Sequence, residues 1–244
     1  MQVSRQRLGS FPRIESPLLG IVMLDTRFPR PVGDVGNPAS WPVATLIERV
    51  EGAWPRTVVQ SAAGLRASGM LQAFVLAARE LERQGACAIT TSCGFLVLLQ
   101  QELQAAVGVP VVTSSLLQLP ELLRTEGRAG VLTISATCLD SAYLAAAGVG
   151  SERIGQVVVQ GVEAQGEFAG AILGNHADFD LEAARIEVVA AAVALKNRAP
   201  ELRTVVLECT NMPPYADAIR QATGLHVLGL ADSPVLRGAL ALDR

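Results

Sequence analysis

Apolar residues along this chain gather in two kinds of segment. Short, nearly uninterrupted runs rich in Val, Ile and Leu recur at Gly20 to Leu24, Cys87 to Ser92, Val109 to Thr113, Gly130 to Ile134, Gln156 to Gln160, Arg203 to Leu207 and His226 to Leu230. Runs of this length without alternation predict strands covered on both faces. Between them lie Met70 to Arg83, Gly94 to Ala106, Leu116 to Arg124, Thr137 to Ala147, Asp180 to Asn197, Pro214 to Ala222 and Pro234 to Leu242, where apolar and polar positions predict helices. Thr57 to Gln60 reads as a further short strand. Asp180 reads as an N-cap, and Asn197-Arg198-Ala199-Pro200 as the stop of the longest helix. Strands that alternate with helices predict parallel sheets joined by right-handed crossovers. The segment Arg27 to Pro42, rich in Pro and Gly, breaks the pattern. A loop of that length at a strand tip reads as a lid or rim over the mouth of a sheet.

The pattern occurs twice. Cys87 to Phe95 reads C-A-I-T-T-S-C-G-F and Val205 to Pro213 reads V-V-L-E-C-T-N-M-P, so Cys93 and Cys209 stand at equivalent strand tips. Gly108 follows Cys93 by fifteen residues and Gly224 follows Cys209 by fifteen, each placed as a helix C-terminal glycine before the next strand. Leu19 to Thr26 also resembles Ala129 to Ser135. These correspondences predict an α/β fold of two pseudo-symmetric lobes, each a mainly parallel four-stranded sheet flanked by helices, with a cleft between them. The expected lobes are residues 1–115, joined by a C-terminal helix at 232–244, and residues 116–231.

Half of the residues are hydrophobic, mostly Ala, Val and Leu with few aromatics, which suits such sheets. The net charge is -3, with Arg and Glu dispersed, so neither a nucleic-acid footprint nor a polybasic membrane patch is present. The first sixteen residues hold Arg5, Arg7 and Arg13 without an apolar segment of signal-peptide length and read as a solvated tail. No run approaches the roughly 20 apolar residues of a membrane span. The expected compartment is the cytoplasm, where thiols stay reduced. No C-x-x-C occurs, His176 and His226 stand alone, and no metal site is expected. His226 reads as structural and His176 as a loop residue, solvated or reaching the cleft. Lys196, the single lysine, falls near a helix end, where a cation suits the helix dipole, so a Schiff-base cofactor is not expected and the cofactor set is none. Gly33 and Gly36 are too weak a signal for a phosphate loop.

Beyond the carboxyl ends of parallel strands, loops and helix N-termini converge on ligands. Both cysteines belong there, beside the hydroxyls of Thr91, Ser92 and Thr210. A helix N-terminus presents unpaired N–H groups that bind anions and lower a thiol's pKa. Two thiols facing one cleft suit proton removal from one face of a carbon next to a carboxylate and proton return to the other. Cys87 and Cys138 have no counterparts in the other half and read as small apolar fillers.

The motifs T-T-S-C-G and E-C-T-N-M-P-P-Y resemble those of the aspartate/glutamate racemase superfamily, cofactor-independent enzymes that include hydantoin racemases, maleate isomerases and arylmalonate decarboxylases. Asp25-Thr26 resembles that family's acidic-plus-hydroxyl pair after the first strand, and Thr137, six residues before Tyr143, resembles a threonine of its second half. The resemblance implies that Cys93 and Cys209 are the two bases, and that Thr26, Gly94, Thr137 and Thr210 contact a substrate carboxylate. Ser92, Phe95 and Asn211, beside the cysteines, complete the expected substrate-binding set together with Asp25 and Arg27. Asp25 either tunes the nearer thiol or caps a turn, and Arg27 either binds a second carboxylate or sits on the surface. The chain departs from glutamate racemases where Asn211 replaces a histidine and the Arg27 to Pro42 loop replaces a glycine-rich segment. The implied function is racemisation of an amino acid. The alternatives are a maleate isomerase-like or decarboxylase-like reaction on a small dicarboxylate with a single working cysteine, and a non-enzymatic small-molecule binding protein. The expected partner is a small carboxylate or dicarboxylate, and a homodimer is left open.

Overall fold

The computed structural model describes residues 17–242; the expected N-terminal tail with Arg5, Arg7 and Arg13 lies outside the described residues. Eight strands are present among them: β1 (Leu18–Leu24), β2 (Ala44–Val50), β3 (Ala88–Thr91), β4 (Val111–Val112), β5 (Ala129–Thr133), β6 (Val157–Gly161), β7 (Thr204–Leu207) and β8 (His226–Leu228). They form two four-stranded sheets, ordered β2-β1-β3-β4 and β6-β5-β7-β8. Every pairing is parallel. The second sheet repeats the order of the first, as the doubled sequence pattern predicts. The inner strands β3, β5 and β7 are buried along their whole length, and β1 along all but its first residue. Their apolar runs are continuous for that reason, since helices cover both faces.

The second strand of the first half is Ala44–Val50, not Thr57 to Gln60. It is an edge strand whose residues are exposed or half-buried up to Val50, with Glu48 and Arg49 inside it, so it carries no buried-strand signature. Residues Pro55–Val58 instead form a helical turn with proline at its start, where the ring's fixed φ suits the first helical position. A further helix, Glu167–Gly174, ends on Asn175 in the left-handed conformation. The segment after β5 stays non-helical until Ser141–Ala146, because Asp140 caps that helix by accepting from the N–H of Ala142. Asp180 caps Leu181–Arg198 as expected, accepting from the N–H groups of Glu182 and Ala183. Lys196 donates to the carbonyls of Pro200 and Leu202 at the end of that helix.

The equal spacing of Gly108 and Gly224 does not produce equal helix ends. Gly224 is the left-handed C-cap of Ala216–Thr223. Helix Gln100–Ala106 ends on an extended Val107, and the Gly108 N–H goes to the Glu82 carboxylate instead.

One large apolar core runs through both lobes and includes Cys93 and Cys209. A second core joins Leu19, Ile21 and Met23 of β1 to Leu230, Leu236 and Leu240, so the final helix Pro234–Ala239 covers the first sheet after the chain has completed the second. Cys87 borders that helix, with its sulfur 3.8 Å from the Ala239 carbonyl oxygen. Among the described residues no helix is long and apolar enough to cross a membrane.

Candidate active site

Cys93 follows β3 and Cys209 follows β7, at the carboxyl ends of equivalent inner strands of the two sheets. The residues before them are structurally equivalent. The Ser92 N–H donates to Val22 O on β1, and the Glu208 N–H donates to Leu132 O on β5. Both cysteines are almost fully buried, at 7% and 6% exposure, and both line one cavity.

The lobes meet at these tips. Thr210 Oγ1 donates to the Ser92 carbonyl at 2.6 Å, and Ser115 Oγ donates to the Leu207 carbonyl at 2.6 Å. Gly94 lies directly against Glu208, so a Cβ there would collide with the Glu208 carbonyl oxygen and with its carboxyl Oε1. Only glycine permits this approach. The 3-10 helix Gly94–Leu99 then leads away from Cys93, with Phe95 edge-on to Tyr143 at 4.9 Å.

The Arg27 to Pro42 segment closes one side as a rim. Arg30 Nη1 pairs with Asp34 Oδ1 at 2.7 Å, with side chains only 11% and 1% exposed. Arg30 Nη2 donates to Thr26 Oγ1 at 3.0 Å, and its guanidinium lies 4.7 Å above the Phe28 ring. Asn211 Nδ2 donates to Asp34 Oδ2 at 2.6 Å, and the Val35 N–H donates to the Thr210 carbonyl. The rim of the first lobe is thus tied to the tip of the second.

Of the expected site residues, Thr26, Ser92, Gly94, Phe95, Thr210 and Asn211 join the two cysteines in the cavity wall. Asp25, Arg27 and Thr137 do not. The Asp25 carboxylate turns toward the Gly52 N–H and Arg49, and the Gly52 bond holds it below its ordinary pKa. Arg27 is exposed, with its backbone N–H bound to Asn175 Oδ1. Thr137 is exposed beside Ser135, on the turn that Asp140 keeps out of the helix. Thr91 is buried inside the turn, donating to the Thr113 carbonyl rather than facing the cavity. His176 is exposed as well.

Sequence reasoning missed Arg30, Phe28 and Glu208, together with the apolar wall of Pro55, Val59, Ile134 and Ile172. One signal was available: Glu208 is an acidic residue at the end of the buried run T-V-V-L. The free volume between these walls is about 20 Å³, room for roughly one water molecule.

The electrostatics reverse the expectation of depressed thiol pKa values. Burial, followed by the nearby Glu208, pushes Cys93 up to about 12, against the pull of the Phe95 and Leu96 N–H groups and of Arg30. Burial and Glu208 also push Cys209 well above its ordinary value, with Cys93 and Asp34 adding to the rise. A short 3-10 turn supplies few donors, and desolvation by burial outweighs them. Glu208 itself is pushed up to about 8 by burial, against a 2.7 Å hydrogen bond from Thr133. It therefore holds its proton in most molecules at neutral pH, which removes most of its repulsion of the thiolates and leaves burial as the main obstacle. The two thiols differ in their partners. Both sulfurs receive backbone N–H groups, Cys93 from Phe95 and Leu96 and Cys209 from Asn211, but Arg30 also favours the Cys93 thiolate, whereas the Cys209 thiol donates to Asn211 Oδ1 at 3.6 Å.

Two like lobes, with thiols at the tips of β3 and β7 that line one cavity, define a two-lobed α/β protein. Residues 50–235 match the family model described as Asp/Glu/Hydantoin racemase, and the chain belongs to that family. It is 30% identical over 226 residues to a dimethylsulfoniopropionate lyase of Durusdinium sp. clade D, spanning 90% of this chain and 73% of that protein. It is 29% identical over 221 residues to dimethylsulfoniopropionate lyase 7 of Emiliania huxleyi (strain CCMP1516), spanning 87% of this chain and 64% of that protein. Among solved structures it resembles a glutamate racemase isoform from Bacillus anthracis, at TM-score 0.59 and 17% identity, covering 93% of this chain and 82% of that one. Arylmalonate decarboxylase matches at TM-score 0.56 and 17% identity, covering 93% and 92%. At these identities the likeness to solved structures is one of fold.

Proposed function

We propose that this protein is a lyase that takes a proton from the carbon next to a carboxylate and expels a sulfide from the carbon beyond it, with dimethylsulfoniopropionate as substrate. The observation that carries this proposal is that Cys93 shares its cavity with the Arg30 guanidinium, so a carboxylate held by Arg30 brings its α-carbon to the thiol. Cys93 first loses its own proton to solvent, against the burial that holds it, and the thiolate so formed removes the α-proton. The electron pair of that C–H bond becomes the Cα–Cβ double bond, the C–S bond breaks toward sulfur, and neutral dimethyl sulfide leaves with acrylate as the second product. Cys93 then returns its proton to solvent. Arg30, Thr26 and the N–H groups after Cys93 stabilise the charge that builds on the carboxylate during proton removal. Elimination is preferred to racemisation because the relatives at about 30% identity bear the lyase name.

A second reading is racemisation of an amino acid, which shares the first step and adds reprotonation from the other face. The Cys209 thiol, held by Asn211, favours it. The two separate cleanly. Incubation with dimethylsulfoniopropionate is expected to release dimethyl sulfide into the headspace and acrylate into solution in equal amounts. No sulfide, with loss of optical rotation and α-deuterium uptake by enantiopure aspartate or glutamate in heavy water, would establish the second reading instead.

A further inference from the structure

Glu208 is a buried carboxyl group that the proton steps above leave without a task. It stands where the first lobe has Ser92, at 1% exposure, and it lines the thiol cavity. Its Oε2 accepts from Thr133, whereas its Oε1 is buried with no hydrogen-bond partner. A buried carboxyl oxygen without a partner is unfavourable, and a Gln there would keep the Thr133 bond without the charge. The cavity wall also offers one guanidinium, Arg30, and one carboxyl group, Glu208, together with the apolar side chains of Pro55, Val59 and Ile172.

We propose that Glu208 is the specificity-determining residue for the positive end of the substrate, so that Arg30 and Glu208 together select a zwitterion with a carboxylate at one end and an onium group at the other. This rests on the reading of the cavity as a site for a β-sulfonio carboxylate. A sulfonium has no N–H to satisfy. It needs a nearby negative charge and apolar surface for its methyl groups, and Pro55, Val59 and Ile172 supply that surface. A primary ammonium would need several acceptors, and Oε1 is a single one.

Binding and protonation are linked. The free carboxyl group titrates at about pH 8 because of burial, so below that pH an onium ligand must expel its proton. The groups that face it are the Cys93 and Cys209 thiols and the Tyr143 phenol, with Arg30 and Asp34 on the rim loop. Burial raises both thiols and the phenol far above neutrality, which leaves Glu208 as the group that titrates between pH 6 and 9. Affinity for the onium therefore rises by up to about tenfold per pH unit below about 8 and levels off above it.

The test compares dimethylsulfoniopropionate with 4-methylpentanoate, the isostere that keeps the carboxylate and lacks the positive charge, by titration calorimetry, in a Cys93→Ser background that blocks turnover. With Glu208 present, the sulfonium compound is expected to bind at least tenfold more tightly than the isostere at pH 8, and at pH 7 to release a proton, read from the dependence of the enthalpy on buffer ionisation. Adding Glu208→Gln is expected to bring the ratio near one and abolish the proton release. An unchanged ratio in the Gln variant overturns the proposal, as does a Gln variant with reduced kcat but unaltered KM in the Cys93-containing protein. Should the Gln variant not fold, absence of proton release with Glu208 in place is enough to overturn it. Preference for the sulfonium compound without any dimethyl sulfide production would sink the lyase reading and leave the zwitterion selectivity standing.

Discussion

The tips of β3 and β7 share a backbone and differ in almost everything attached to it. In the first lobe Ser92 precedes the cysteine and spends its hydroxyl on the Leu24 N–H, while Cys93 receives N–H groups and feels Arg30. In the second lobe Glu208 precedes the cysteine, and Cys209 gives its own hydrogen to Asn211. Duplication sets two thiols on one cavity. The neighbours then set them apart: Arg30 favours the Cys93 thiolate, whereas Asp34 and Glu208 oppose the Cys209 thiolate, and on the proposed function Cys93 is the base.

The largest test of that difference is to remove each thiol in turn. Cys93→Ala is expected to lower kcat/KM for sulfide release by about 10³-fold, the scale of a lost general base. Cys209→Ala is expected to cost no more than about tenfold. Equal losses, measured by headspace sulfide assay, would erase the asymmetry and favour racemisation.

Gly94→Ala attacks the contact that brings the two tips together. The new methyl group meets the Glu208 carbonyl and carboxyl, and we expect destabilisation of about 3 kcal/mol or more, read as a lower midpoint in urea together with loss of activity. A normal midpoint would mean that the lobes part freely at this point.

The third test sharpens the contrast between Ser92 and Glu208 through pH. The Glu208 carboxyl titrates at about 8 in the folded protein, against an ordinary value of 4.5, so the folded state binds more protons between those limits. Stability should fall as pH rises through that window, by an amount on the order of a few kcal/mol. Glu208→Gln should flatten the dependence, as measured by thermal unfolding at pH 5 and pH 8. Smallest of all, Thr137→Ala should change stability by less than about 0.5 kcal/mol and turnover by less than about twofold, since its side chain is exposed outside the cavity wall.

Much of the molecule is legible in its amino-acid sequence. The inner strands announce themselves because burial on both faces demands continuous apolar runs, and the cysteine spacing marks the doubled plan. Strand β2 is hidden because an edge strand with Glu48 and Arg49 need not be apolar. The cavity is legible where it is local, at Ser92 to Phe95 and at Cys209 to Asn211. It is illegible where partners are distant in the chain, as with Asn211 and Asp34, 177 residues apart, or Arg30, whose role depends on how the rim loop folds back over Phe28. Asp25 and Arg27 follow a strand tip just as Thr26 does, yet of these three only Thr26 turns inward, and no spacing rule distinguishes them.

The return of the final helix to the first sheet has a mechanical consequence. The polypeptide passes from one body to the other between β4 and β5, and passes back after β8. Joined by one thread, two bodies can swivel in any direction; joined by two, they bend most easily about the line between the attachment points. Admission of a guest larger than the single water this site accommodates should therefore proceed as a hinged gape along that line rather than as a twist or a slide. Severing the return at residue 233 would strip Leu19, Ile21 and Met23 of their cover and remove one of the two attachments, while the common apolar core and the bonds from Thr210 to Ser92 and from Ser115 to Leu207 still hold the lobes together.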